Sequence, residues 1–558
     1  MARKCGFILL KIATLMAAPC IARLPQVVAV EFDEPVVKAD TPSALPDGWW
    51  QTGPIMEIFV RSYQDSDGDG RGDLRGIQQR LDYLASLGVK GIWLTPIFKS
   101  QDHDHGYAIT DYRDVDSDIG TLADFDALVA AAHAHGIGVI IDYVANHSAR
   151  LHPAFKLSED RSSPYRKWYV WRDKHPRGWK TWNTDRPDPW SEDGSAGAYY
   201  AVFWDQMPDF DFSDPGVMEF HRNNLRFWLN RGVDGVRFDA VSELLNLDGG
   251  ERDDEGSARL SAELAATVRE YPNRWAICEA TAAQVQGRWS PARHASPSAC
   301  GAAFGFPVNF IFNEIAASRD TAHGKAFESM NWYFQTFPAS RMGTLLGNHD
   351  TFSATLDGTY RGREFDIVGG DLDACRFAAA ENLLSPGIPF IYYGEEIGMS
   401  KQTAVKSTDE QLRAPMSWDA KKGFTSAAKP YRAYSDNRVR FNVEAEEQDP
   451  NSLLGWYRQL IQLREENAVL QQGDPEKVEG GRSKGDAFVY TRVLGTERVW
   501  LIFNPGKAKG TVTSSRGGAV VPLFNPGRVT VAPSSTGGQV FSGIPPRGVA
   551  VFRSGEPR

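Results

Sequence analysis

Four short segments of this 558-residue chain bring polar chemistry to the ends of apolar runs. IGVIIDYV carries Asp142, with Asn146 and His147 just after it, and VDGVRFDAV carries Arg237-Phe238-Asp239. WAICEA carries Glu279, and GTLLGNHD closes on Asn348-His349-Asp350. Any one of these carboxylates alone reads as a structural cap or an ion pair. Three of them, Asp239, Glu279 and Asp350, arriving from separate strand ends at one mouth suit glycosidic bond cleavage, in which one carboxylate attacks and a second protonates the leaving oxygen. Asp239 is the better nucleophile: Arg237 stands two residues earlier, on the same side of the strand, and is expected to hold its pKa down. Glu279 lies in the apolar frame Ile277-Cys278-Glu279-Ala280, a setting that favours a protonated acid.

Such convergence needs a scaffold that gathers strand ends. Short apolar runs at 54–63, 89–98, 137–144, 233–241, 275–280, 306–312, 343–350 and 388–396 read as eight strands, with helical patterns such as 74–88, 121–136 and 214–232 between them. Asp214 and Pro215 make an N-cap and first turn for the last of these. The pattern predicts an α/β fold: a (β/α)8 TIM barrel at 48–147 and 207–473, whose active site sits at the C-terminal ends of the strands. Residues 148–206 lack periodicity and read as a small domain inserted after strand three. Beyond a long helix at 452–470, short β runs broken by Gly, Pro and Asn predict a C-terminal antiparallel β-sandwich at 474–558.

Composition narrows the partners. Lys and Arg number 61 against 71 Asp and Glu, a net charge of −10, which argues against nucleic acid or an anionic membrane as the main partner. The aromatic load is high, with 16 Trp, 18 Tyr and 30 Phe; most of it is expected in cores. Trp168, Trp171, Trp179, Trp182, Trp190 and Trp204 all fall in the insertion, and a minority of them is expected to line sugar subsites. The N-terminus has a basic start, an apolar run interrupted by Lys11, and small residues near Ala22, which predicts a signal peptide at 1–22 and a leader or linker at 23–47. Pro19 weighs against a lipid anchor at Cys20. No other run approaches the roughly 20 apolar residues of a membrane span, so an exported, periplasmic or secreted monomer is expected. Without the leader, Cys278, Cys300 and Cys375 remain; a 278–300 bridge and plain buried thiols are both open, and the absence of CxxC leaves zinc without support.

A second polar cluster, Asp-Ser-Asp-Gly-Asp-Gly-Arg-Gly-Asp at 65–73, sets acidic residues at alternating positions, an oxygen-rich loop that suits Ca2+.

Taken together, DYVANH, GVRFDAV, ICEA, LLGNHD, MPDFD and GIPFIYYGEEIGM resemble the motifs of the α-amylase family, glycoside hydrolase family 13, over roughly residues 48–558. The resemblance implies Asp239 as nucleophile, Glu279 as general acid/base and Asp350 as transition-state stabiliser, acting with retention on α-glucosidic bonds of α-glucan or malto-oligosaccharides. It implies that Asp142, His147, Arg237 and His349 bind the reacting sugar, and that Tyr107 stacks beneath it. It also implies that Asp65, Asp67, Asp69 and Asp73 give side-chain ligands, and Arg71 a carbonyl ligand, to a structural Ca2+. Ser242-Glu243 stands where many α-amylases carry Lys-His. RAPMSW at 413–418 is similar to the RTPMQW of α-glucosidases and oligo-1,6-glucosidases, so the chain is intermediate between the two groups. An Asp104–Arg413 pair is then expected behind the reacting sugar, favouring action at chain ends. Endo hydrolysis, exo hydrolysis and transfer to a second sugar stay open.

Overall fold

The computed structural model describes residues 32–317, 326–350, 362–421, 423–480 and 486–555. The expected signal peptide, Cys5 and Cys20 lie outside the described residues. Eight parallel strands close a barrel: β1 (Ile55–Ile58), β2 (Gly91–Leu94), β3 (Gly138–Val144), β4 (Gly235–Asp239), β5 (Trp275–Cys278), β6 (Ala303–Phe304), β7 (Met342–Thr344) and β8 (Ile388–Tyr392). Alternate residues point inward, so Ile55, Trp93, Ile140, Ile277, Phe304 and Phe390 fill the interior. Trp49 plugs the N-terminal end, and it fits because β2 and β3 begin with glycine: a Cβ at Gly91 or Gly138 would come within 2.7 or 2.6 Å of its ring. The packed interior leaves the C-terminal rim as the open end.

Capping residues set the helix starts as the sequence indicates. Thr121 forms a capping box for Leu122–Ala134, and the Asp214 side chain accepts from Gly216 N–H with Pro215 in the first turn of Pro215–Asn230. Four readings change. The run 306–312, expected as a strand, begins the helix Phe306–Ala316, with Pro307 in its first turn; the sixth strand is the two-residue Ala303–Phe304 just before it. The helical pattern at 74–88 is two helices meeting at Arg80, Leu74–Gln79 and Leu81–Leu87, and the pattern at 452–470 breaks after Glu465. The leader is no free tether from residue 32 onward: Phe32 packs against His152, Tyr165, Trp168 and Phe220, and Leu45 is buried in the barrel interior.

The insertion carries a three-stranded antiparallel sheet, Trp171–Arg172, Gly197–Tyr200 and Trp190–Asp193. At the C-terminus two antiparallel sheets face each other across Val489, Trp500, Ile502, Val512, Phe541 and Phe552, a β-sandwich. Cys278 and Cys300 form a disulfide, and Cys375 is a buried thiol. Among the described residues no helix is long and apolar enough to cross a membrane.

Candidate active site

The register of β3, β4 and β5 builds the centre of the rim. Asp142 lies beside Arg237, and Arg237 beside Ile277, so their side chains share the inward face. Asp239 and Glu279 follow two residues on, at the level of the open end. The buried Arg237 guanidinium then binds three carboxylates at once: Nη1 to Asp142 Oδ1 (2.7 Å) and Asp239 Oδ1 (2.6 Å), and Nη2 to Glu279 Oε2 (2.7 Å). Glu279 Oε2 also accepts the Ala240 N–H at 3.1 Å. Ala240 itself has φ 45°, a left-handed turn that ends β4 directly after Asp239.

A second network joins it from β1 and β7. Tyr107 Oη donates to Asp142 Oδ2 (3.0 Å) and lies 2.7 Å from His349 Nε2; the two rings stack at 5.7 Å. His349 Nδ1 is held 2.6 Å from Glu57 Oε1, which also accepts the His349 N–H at 3.0 Å. Trp93 donates its indole N–H to Asp142 at 3.2 Å. Asp350 is 3.3 Å from His349 Nε2 and pairs with Arg413 Nη2 at 3.1 Å, while Arg413 Nε donates to His349 O. His147 is buried, and its Nε2 has no hydrogen-bond partner.

Burial and charge set the ionisation of these groups. Burial drives the Asp239 carboxyl well above its ordinary range, and neighbouring Glu279 and Asp142 add to this against the pull of Arg237. Arg237 pulls Asp239 down as expected, but burial outweighs that pull, so the carboxyl is not held low as the sequence led one to expect. Burial opposes the charge on His349, but Asp350 and Glu57 raise it overall, favouring the imidazolium. Asp350 is also desolvated, yet His349 and Arg413 keep it below the usual carboxylate range. Desolvation keeps His147 neutral, pushed down to about 3.

These groups line a cleft of about 670 Å³, with His105, Tyr107, His147, Asp239, Glu279, Asp350 and Arg413 on its walls. Asp104 lies 3.8 Å from Arg413, but its closer partner is Arg432. Of the six tryptophans of the insertion, Trp168, Trp171 and Trp190 are buried packing residues, whereas Trp182 and Trp204 are exposed in the cleft wall. Sequence reading missed Glu57, Arg432, Asp409 and Arg252, and took Glu243 only as a departure from a Lys-His pair. Of these only Glu57 left a local signal, a lone acid in a fully buried strand.

The acidic loop brings Asp65, Asp67 and Asp73 to within 4.8 Å of one another through their carboxylate oxygens. The Asp69 side chain stands apart, exposed and 3.5 Å from Arg71 Nη1. Burial raises Asp67, and the charges of Asp69, Asp73 and Asp65 raise it further. This donor set fits a hard cation.

A family model described as alpha amylase, catalytic domain, matches residues 57–473. "Alpha-amylase 3" of Dictyoglomus thermophilum is 32% identical over 475 residues, covering 83% of this chain and 86% of its own. "Amino acid transporter heavy chain SLC3A1" of Rattus norvegicus is 30% identical over 545 residues, covering 88% of this chain and 76% of its own. The crystal structure of an alpha-amylase from H.orenii superposes with a TM-score of 0.76 at 30% identity, covering 90% of this chain and all of that one (100%).

Proposed function

The chain belongs to the α-amylase family and is a glycosidase, and from that premise we propose that it hydrolyses α-glucosidic bonds, chiefly α-1,4, in starch-derived malto-oligosaccharides with retention of configuration. The observation that carries this reading is the Arg237 guanidinium shared by Asp142, Asp239 and Glu279 in the cleft that also holds Asp350. Asp239 attacks the anomeric carbon as Glu279 protonates the departing oxygen; Glu279 then takes a proton from water, whose oxygen displaces Asp239. The positive charge gathering on the sugar is met by Asp350 and Asp142, already fixed by Arg413, Tyr107 and Arg237. His147 Nε2, His349 and Arg237 supply polar groups for the sugar hydroxyls, and Tyr107 supplies a ring face.

Asp65, Asp67 and Asp73, joined by the Arg71 carbonyl, are proposed to hold a structural Ca2+ remote from the chemistry, with Asp69 a ligand only after its side chain turns inward. Export is part of the proposal and rests on the basic and apolar pattern of residues 1–22.

One contact favours a second reading, action at chain ends. Arg413 pairs with Asp350 in the cleft and lies 3.8 Å from Asp104, which Arg432 also binds, so a charged cluster adjoins the reacting position. A non-catalytic binding-subunit role fits poorly with a mutually bonded carboxylate set in one cleft. The test is a time course on maltoheptaose, maltose, isomaltose, sucrose and trehalose with anomer detection. Mixed α-anomeric oligosaccharides support endo hydrolysis, glucose alone supports chain-end action, and longer products indicate transfer. Release of the β-anomer, or normal turnover by Asp239→Ala, overturns the reading.

A further inference from the structure

Glu279 stands one residue beyond the barrel ladder that carries it. The pairing of β5 with β4 stops at Cys278 beside Phe238, and β5 pairs with β6 through Cys278 and Ala303. Glu279 still gives its N–H to Phe238 O at 2.9 Å, but past it the backbone is held by the turn that follows β4. Val241 N–H donates to Glu279 O (3.0 Å), and Thr281 N–H donates to Ser242 Oγ (2.9 Å). The orientation of the proposed acid/base therefore depends on what fixes Ser242.

A chain of buried groups leads from Ser242, which borders the cleft, to Asp254, which does not. Ser242 Oγ lies 3.0 Å from Ser290 Oγ, and Ser290 Oγ donates to Asp254 Oδ1 at 2.5 Å. Asp254 Oδ2 binds Arg293 Nη1 at 2.7 Å, and Oδ1 lies 3.3 Å from His294 Nε2. Ser290, Asp254 and His294 are fully buried. The direction of each bond follows from the two ends. An amide N–H only donates and a carboxylate only accepts, so Thr281 gives to Ser242, Ser242 to Ser290 and Ser290 to Asp254. Bonds aligned in this way strengthen one another. Asp254 is desolvated, yet His294, Ser290 and Arg293 hold it below the usual carboxylate range, so the order of donors does not reverse. The Cys278–Cys300 disulfide closes the segment that supplies Ser290, Arg293 and His294.

We propose that Asp254 is a positioning residue for Glu279: through Ser290 and Ser242 it sets the backbone at 279–281, and with it the reach of the Glu279 carboxyl toward the leaving oxygen. The inference rests on the glycosidase reading and deepens it by adding a residue that touches neither the sugar nor a reacting atom. Helix formation does not account for this carboxylate. Asp254 opens the helix Asp254–Val268, but the cap is Asp253, whose side chain accepts the Gly256 N–H. A proton donor displaced by about 1 Å loses up to about 100-fold in rate, so a hydrogen-bonded chain that fixes its backbone acts on the chemistry from a distance.

The experiment separates proton donation from folding by the choice of leaving group. In α-glucosyl fluoride the C1–F bond breaks as Asp239 bonds to C1, and fluoride departs without a proton. In maltose and maltotriose the departing sugar oxygen takes the proton of Glu279. Wild type, Asp254→Ala, Ser290→Ala, Ser242→Ala and Ser242→Thr are compared with Glu279→Gln on both substrate types, each with a melting curve. The expected result is that kcat/KM on the oligosaccharides falls about tenfold or more in the three alanine variants while that on the fluoride changes less than about threefold, the pattern of Glu279→Gln. Ser242→Thr, which keeps the hydroxyl, is expected to recover most of the loss. A merely structural role lowers both substrate types together. If they fall in step, or neither changes, in variants that melt like wild type, the role of Asp254 is overturned while the glycosidase reading stands. Ser242→Ala, the mildest change, decides the matter if Asp254→Ala does not fold. If wild type cleaves neither substrate type, it is the glycosidase reading that fails.

Discussion

Glu57 holds His349 by two bonds to one oxygen: Oε1 takes both the imidazole Nδ1 and the backbone N–H of His349, 292 residues away in sequence. The first barrel strand thereby fixes both the ring orientation and the charge of a residue after the seventh. His349 in turn directs Nε2 toward Tyr107 and Asp350.

Replacing Glu57 by Gln removes a charge that raises His349, so His349 loses its proton at lower pH. The alkaline limb of kcat/KM is expected to move to lower pH, and the plateau to fall by about 10- to 100-fold. A pH–rate profile checks this; an unmoved alkaline limb contradicts the role given to Glu57.

Asp142 raises the carboxyl of Asp239 by its charge, and Asp239 acts only when ionised. In Asp142→Asn that push is gone, Asp239 ionises at lower pH, and the acid limb of kcat/KM is expected to move to lower pH while the maximum falls. The position of the limb, not the rate, is the diagnostic reading.

Chelation tests the acidic loop. If Asp65, Asp67 and Asp73 hold Ca2+, EDTA is expected to lower the melting temperature by about 2–5 °C, with recovery on added Ca2+ but not Mg2+. Asp67→Asn is expected to melt like the chelated protein and to ignore EDTA.

The disulfide joins residues 22 apart, and removing a loop closure of that size costs about 3 kcal/mol by the chain-entropy account. Cys278→Ala with Cys300→Ala is expected to unfold at lower denaturant, with an m-value equal to or larger than wild type because the unfolded chain is no longer cross-linked. Because Cys278 adjoins Glu279, kcat is expected to drop as well; equal stability and kcat in the double variant contradict both effects.

The rim chemistry was legible in the sequence because a barrel sends its polar residues to strand ends, and Asp142, Arg237, Asp239, Glu279 and Asp350 each follow a recognisable apolar run. The sixth strand was not legible. Ala303–Phe304 is too short to show alternation, and the longer run after it, buried on every side as a helix, mimics a strand by composition. Arg432 and Arg252 were missed for a different reason: each matters through a partner brought near only by folding, and no local spacing announces it.

Carboxyls outnumber cations around the reacting position: Glu57, Asp142, Asp239, Glu279 and Asp350 stand against Arg237, His349 and Arg413. A neutral sugar gains little from that excess, whereas a cation of similar shape gains what the fleeting oxocarbenium gains. Protonated amino sugars and small hydroxylated amines are therefore expected to compete with substrate best where they carry their proton, and inhibition measured across pH checks this.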